Sequence, residues 1–178
     1  ALMSRGLGDV YKRQVDGLVI IGGEGSAKGA TALSKISKTK CVVIPATIDK
    51  DMPLVGPTIG FDTAINTALS AIDKIRDTAT TSNVTHIVEV MGRNCGWLGI
   101  LAGIGAGAEV TIIPEVKIDI AKLSKKIKSQ LDRGKKGCII ILAEGGFSKG
   151  GSSLAGALKK KGDLDLRITT LGLSLIHI

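Results

Sequence analysis

The stretch Val15-Asp16-Gly17-Leu18-Val19-Ile20-Ile21-Gly22-Gly23-Glu24-Gly25-Ser26 decides the fold. Its aliphatic run is short and closes on a glycine pair, which reads as a buried strand. From Ser26 to Ser37, Ala30, Leu33 and Ile36 recur at helical spacing, so a helix follows the strand. The same alternation continues down the chain. Cys41–Ile44 predicts a second strand, ended by Pro45, and Thr58 is placed to cap a long helix with Ile65, Leu69, Ile72 and Ile75 on its apolar face. Ile87–Met91, Val110–Ile113 and Cys138–Ala143 predict three more strands, separated by helices over Gly96–Ala106 and Asp119–Leu131. Near-continuous aliphatic strands alternating with helices predict an α/β fold, a Rossmann-like parallel sheet with helices on both faces. Ligands of such sheets sit beyond the carboxyl ends of the strands. The Gly/Ser/Lys-rich segment Phe147–Gly162 reads as a mobile surface loop.

Composition narrows the function classes. A chain of 178 residues makes one domain or parts of two. Its 24 basic and 16 acidic residues leave a net charge of +8, spread along the chain apart from Lys-rich stretches near Lys125–Lys136 and Lys159–Lys161. Aromatic residues are too scarce to interleave with those charges for base stacking, which argues against a nucleic-acid partner. Anionic small molecules such as phosphates suit scattered cations better. Cys41, Cys95 and Cys138 have no metal-type spacing and read as reduced thiols of a cytoplasmic protein. The longest weakly polar stretch, Trp97–Ala108, is too short and too glycine-rich to span a membrane.

The two ends read differently from the rest. Asp9-Val10-Tyr11-Lys12-Arg13-Gln14 back-translates to GAT GTG TAT AAG AGA CAG, and Leu173-Ser174-Leu175-Ile176-His177-Ile178 to CTG TCT CTT ATA CAC ATC. The two strings are reverse complements and match the mosaic end of transposon-based sequencing libraries. Residues 1–14 and 173–178 are therefore expected to be adaptor-derived. The natural segment is then 15–172, cut from a longer reading frame, and the two ends carry no information about the fold.

Two loops carry the chemistry. Ile20-Ile21-Gly22-Gly23-Glu24-Gly25-Ser26 runs from a strand through glycines into a helix, so backbone N–H groups at the helix start can approach a phosphate. Glu24 can hold Mg2+ directly or through water. A tight turn without a ligand reads equally well from this loop alone. No Gly-x-x-x-x-Gly-Lys-Ser/Thr is present, which excludes a P-loop ATPase. Pro45-Ala46-Thr47-Ile48-Asp49-Lys50-Asp51 gathers two carboxylates, a hydroxyl and a lysine at the next strand's end. Asp49 can take the proton of a substrate hydroxyl attacking phosphorus, and Asp51 can orient that hydroxyl. By itself this loop also passes for a solvated acidic turn.

The order of the motifs separates these readings. The phosphate loop, the acidic loop, Gly56-Pro57-Thr58-Ile59-Gly60-Phe61-Asp62 and Glu89-Val90-Met91-Gly92-Arg93 follow one another at short spacings. That series resembles the 6-phosphofructokinase family over essentially all of Val15–Gly172. The resemblance implies ATP-dependent phosphorylation of fructose 6-phosphate to fructose 1,6-bisphosphate, with Mg2+ and ATP as cofactors. It also implies a cytoplasmic homo-oligomer, tetramer or dimer, for the full-length protein. Gly23, Glu24, Gly25 and Ser26 match the nucleotide-phosphate contacts, with Glu24 in the metal position that is usually aspartate. Thr47 and Asp49 match sugar-phosphate contacts, with Asp49 as catalytic base and Asp51 as second carboxylate. Met91, Gly92 and Arg93 match the sugar-binding turn, where Arg93 can fork onto phosphate. Glu144 matches a sugar-hydroxyl ligand. Arg76, Glu109, Arg133, Lys135 and Lys136 match an effector site between subunits, and read equally well as an ordinary basic face.

Two further departures qualify the resemblance. Lys50 stands in place of the usual asparagine, adding a positive charge beside Asp49 that favours the carboxylate and can neutralise transferring phosphate. Val84 stands where an arginine usually reaches the neighbouring subunit, leaving that role open to a residue such as His86. Small residues at Gly25 and Ala46 favour ATP as donor. A pyrophosphate-dependent enzyme and a non-catalytic regulatory subunit are the alternatives, and the fragment alone is expected to be inactive.

Overall fold

A computed structural model describes residues 15–37 and 39–175; of the expected adaptor segments 1–14 and 173–178, residues 1–14 and 176–178 lie outside them. The described residues divide into two compact units, one of residues 15–37, 39–47 and 51–59, the other of residues 48–50 and 60–175.

In the first unit, β1 (Gly17–Gly22) pairs in parallel with β2 (Lys40–Pro45), Leu18 opposite Cys41 and Ile20 opposite Val43. Helix α1 (Glu24–Ile36) joins them and buries only Ala30. Residues 51–59 return to the sheet, where the Ile59 N–H donates to Pro45 O at 3.0 Å. These two strands are not the fully buried strands that their aliphatic runs predict. Val19, Ile21 and Val42 are 64%, 65% and 60% exposed, because the strands alternate between a half-covered and an open face.

The second unit holds a four-stranded parallel sheet in the order β4-β5-β3-β6: Val110–Ile112, Ile139–Ala143, Thr85–Val90 and Leu166–Thr170. Helices α2 (Phe61–Ser82) and α3 (Trp97–Gly105) cover one face, packing Ala64, Ala68, Ile72, Leu98 and Ala102 onto Val88, Val90, Ile139 and Ile141. Helices α4 (Ile120–Asp132) and α5 (Gly150–Lys159) cover the other, packing Leu123, Ile127, Leu154 and Leu158 onto Ile87, Ile140 and Leu142. Alternate residues of β5 thus serve opposite cores, and all five are buried. The expected architecture is present here, and every pairing is parallel.

Two local expectations fail. Phe147–Gly162 is not a mobile loop: a short 3-10 turn, Glu144–Gly146, leads into α5. Leu154, Ala155 and Leu158 occupy one helical face, and burying them on the sheet overrides the weak helix propensity of the glycines and serines. Thr58 does not cap α2. Its hydroxyl donates to Thr47 O at 2.7 Å, and Gly60, at φ +96, precedes the helix instead. The strand β6 was not foreseen, since its Leu-Arg-Ile-Thr-Thr sequence has only two apolar residues. A further 3-10 turn, Gly172–Leu175, follows it, and Leu175 is buried in the core beneath α2 and α3.

Candidate functional site

The first unit carries the candidate phosphate loop. Helix α1 begins at Glu24, two residues earlier than its apolar spacing suggested. Gly23 precedes it without any side-chain cap, so the N–H groups of the first turn keep their donor capacity. Gly23 lies so close to the loop after β2 that a Cβ there would stand 3.3 Å from the Thr47 Cβ. Ser26 leans back over Gly22, while Gly25 faces open space. The Glu24 carboxylate pairs with Lys28 one turn on, at 2.6 Å. Among the described residues no three His, Cys, Asp or Glu side chains converge on a metal-sized space. The Glu24 carboxylate, at the helix start, is an oxygen donor of the kind a magnesium ion takes. In the same unit, Asp51 Oδ1 is shut off from solvent without a hydrogen-bond donor among the described residues. A buried acceptor of this kind is an opening for a ligand's hydroxyl.

The second unit carries the other half of the predicted residues. Met91, Gly92 and Arg93 form the turn after β3, and Glu144 begins the turn after β5, so both lie at carboxyl ends of neighbouring strands. The two turns interlock. The Gly145 N–H donates to Gly92 O at 3.0 Å, and Arg93 Nη2 stands 3.2 Å from Glu144 Oε1. Gly92 has φ +138, and a Cβ on Gly145 would lie 1.8 Å from Arg93 O, so glycine is required at both places. A cavity of about 310 Å3 opens here, lined by Glu89, Met91, Arg93, Glu144, Thr170 and Gly172. Glu89 and Thr170 were missed by the sequence reading, because their strands' ends were read as core or not read at all. The Glu89 carboxylate accepts the Gly151 N–H at 2.7 Å and so fixes the start of α5 beside the cavity.

Asp49 belongs to the second unit, between two anchored neighbours. Ile48 packs against the core beneath α2 and α3. Lys50, at φ +52, places its ammonium 5.2 Å from the Phe61 ring centre and 5.4 Å from that of Trp97. The sequence reading set that charge against Asp49 and transferring phosphate; its partners here are ring faces.

The predicted effector residues are brought together in part. Glu109 is nearly buried and accepts both from Lys135 Nζ and from the Ile139 N–H. Arg76 donates to Ala106 O and Gly107 O. Arg133 instead lines a groove along α4 with Lys125, Lys128 and Lys161, and Lys136 is exposed. Burial, reinforced by the Glu109 charge, raises the Cys138 thiol above its ordinary range. Val84 is buried, and so is His86, whose ring nitrogens have no partner among the described residues. His86 thus does not reach outward. Burial and then the Arg167 charge lower its pKa, with Asp165 opposing.

The model of the family described as phosphofructokinase matches residues 3–175. The chain belongs to that family. Among its phosphofructokinase relatives, the ATP-dependent 6-phosphofructokinase of Enterococcus faecalis is 48% identical over 168 residues, 94% of this chain and 52% of that protein. That of Caldanaerobacter subterraneus subsp. tengcongensis is 49% identical over 164 residues, 92% and 50% respectively. The chain thus spans about half the length of these relatives. Phosphofructokinase from Saccharomyces cerevisiae superposes with a TM-score of 0.82 at 29% identity, over 94% of this chain and 26% of that one. A pyrophosphate-dependent phosphofructokinase from Nitrosospira multiformis shares the fold, with a TM-score of 0.79 at 23% identity. Phosphofructokinase membership accounts for the order of the glycine, acidic and arginine turns along the chain.

Proposed function

We propose that this chain is the part of an ATP-dependent 6-phosphofructokinase that supplies the catalytic base. The observation that carries the reading is the interlocked Arg93–Glu144 pair at the ends of β3 and β5. It sets a guanidinium for a phosphate beside a carboxylate for a sugar hydroxyl, which is the recognition that fructose 6-phosphate demands. Asp49 takes the proton of the sugar's attacking hydroxyl as its oxygen bonds to the γ-phosphorus and ADP leaves. Thr47 and Asp51 orient that hydroxyl, and the Asp51 acceptor, without a donor among the described residues, supports this role. Met91 and Gly92 shape the sugar turn. Gly23, Gly25 and Ser26 present the start of α1 to the nucleotide phosphates, with Glu24 toward Mg2+, whose charge would offset that of the phosphates. Relatives named for ATP, together with the small residues Gly25 and Ala46, support ATP over pyrophosphate as donor.

The full-length protein acts in the cytoplasm as a homo-oligomer, and the effector residues act at its subunit interface. Free Cys41, Cys95 and Cys138 accord with that compartment. Residues 1–14 and 173–178 are adaptor-encoded on the strength of their complementary codons, and the chain by itself is inactive. Reading the uninterrupted gene tests the first point. Replacing Asp49 by Ser in the full-length enzyme tests the base: kcat is expected to fall about 10²–10⁴-fold. An unchanged turnover number removes Asp49 from the role, and activity with pyrophosphate alone overturns the donor.

A further inference from the structure

We infer that Lys50 is a positioning residue, whose ammonium is held between the Phe61 and Trp97 rings so that the backbone on either side of Asp49 is fixed to the second unit. The inference rests on the reading of Asp49 as base, and goes beyond it by naming what holds that base still.

Four observations on one short segment carry it. The ammonium lies 5.2 and 5.4 Å from two ring centres, within the range of cation–π attraction. The Lys50 carbonyl accepts a bond from Cys95 Sγ at 3.6 Å, so main chain and side chain are tied to the same stretch, Cys95–Trp97. Lys50 adopts a left-handed backbone, φ +52, a conformation that a lysine holds only when its surroundings impose it. Finally, Ile48 is packed against the same core. Asp49 therefore sits between two residues with fixed positions.

The ring walls stand at the starts of two helices. Phe61 is buried at the first position of α2. Trp97 is the first residue of α3, whose start is pinned by the Gly96 N–H donating to Glu115 Oε1 at 2.7 Å. Helix starts carry partial positive charge and repel a cation, so the helix dipoles do not explain where the ammonium rests. The ring faces do.

The test uses the full-length kinase with Lys50→Met, which keeps the stem and removes the charge, and Lys50→Asn, which tolerates the left-handed backbone but has no cation. Lys50→Arg keeps the cation. The emission of Trp97 itself, isolated by subtracting the spectrum of Trp97→Phe, reports the cage. Met and Asn variants are expected to shift that emission and to lower kcat about ten- to a hundred-fold, with a smaller change in KM for fructose 6-phosphate. Lys50→Arg should preserve the emission. Unchanged emission in Lys50→Met overturns the cage. Shifted emission with unchanged kcat overturns the positioning role. The pH–rate profile separates positioning from direct charge. Losing a cation that acts on the base would raise the pKa of the acidic limb, so a shifted limb with an unchanged plateau also overturns the inference. If Asp49→Ser leaves turnover intact, the base reading fails while the Trp97 emission still judges the cage.

Discussion

The two units use the same kinds of strand and bury them to opposite degrees. Ile141, in β5, is fully buried, while Ile21, in β1, is 65% exposed. Both come from aliphatic runs of similar length. The difference lies in the layers: β5 has helices on both faces, whereas β1 and β2 have α1 on one face only among the described elements. Burial is a property of what covers a strand, and the residues of the strand can only invite it.

The comparison breaks most readily at the centre of the second unit. Ile141→Ala should cost about 2–5 kcal/mol, read as a lowered urea midpoint, because the void left between packed helices and sheet cannot close. Were it to cost no more than a β1 substitution, the contrast between the units would be wrong. Next comes the interlocked turn. Gly145→Ala forces a Cβ into Arg93 O and should cost about 1–3 kcal/mol while displacing the Arg93–Glu144 pair. A crystal structure of the variant with that pair intact would contradict it.

A third prediction uses pH. The native His86 pKa is lowered from 6.5 by burial and Arg167, so the unfolded chain binds the proton more readily. Stability from neutral His86 is therefore complete above the unfolded pKa and is lost as pH falls through it toward the native value. The urea midpoint should fall between about pH 7 and about pH 5 by more in the wild type than in His86→Leu. Equal falls would show that burial at the start of β3 is weaker than its exposure implies. The smallest effect belongs to the first unit. Val42→Thr, on the open face of β2, should change stability by within about 0.5 kcal/mol. A large loss there would mean that this face is covered in solution.

Much of the candidate site was legible because its parts are sequence-local. The glycine turn before α1, the Thr47–Asp51 loop and the Met91–Arg93 turn each follow a strand, and the strand period located them. Asp119 was legible only as the start of a helix; the structure makes it the cap, accepting from the N–H groups of Ala121 and Lys122. Thr58 was misread because its hydroxyl bonds a carbonyl eleven residues back. Helix α5 was misread because its glycines and serines signal a loop, and only the sheet beneath it makes burying Leu154 and Leu158 worthwhile. Glu89 was missed because it sits inside a strand motif, and its partner, the Gly151 N–H, is 62 residues away.

The sequence by itself determined the alternation of strands and helices, the ends at which chemistry would gather and the choice of Asp49 as the residue to watch. Each depends on periodicity, or on the order of short motifs, and both survive in a linear string. The tertiary structure alone decided that the strands of one unit are buried and those of the other half-open, that Arg93 meets Glu144, and that the charge of Lys50 rests between two aromatic rings. Those outcomes depend on which surfaces meet after the chain has folded, and contacts between distant residues leave no local period to read.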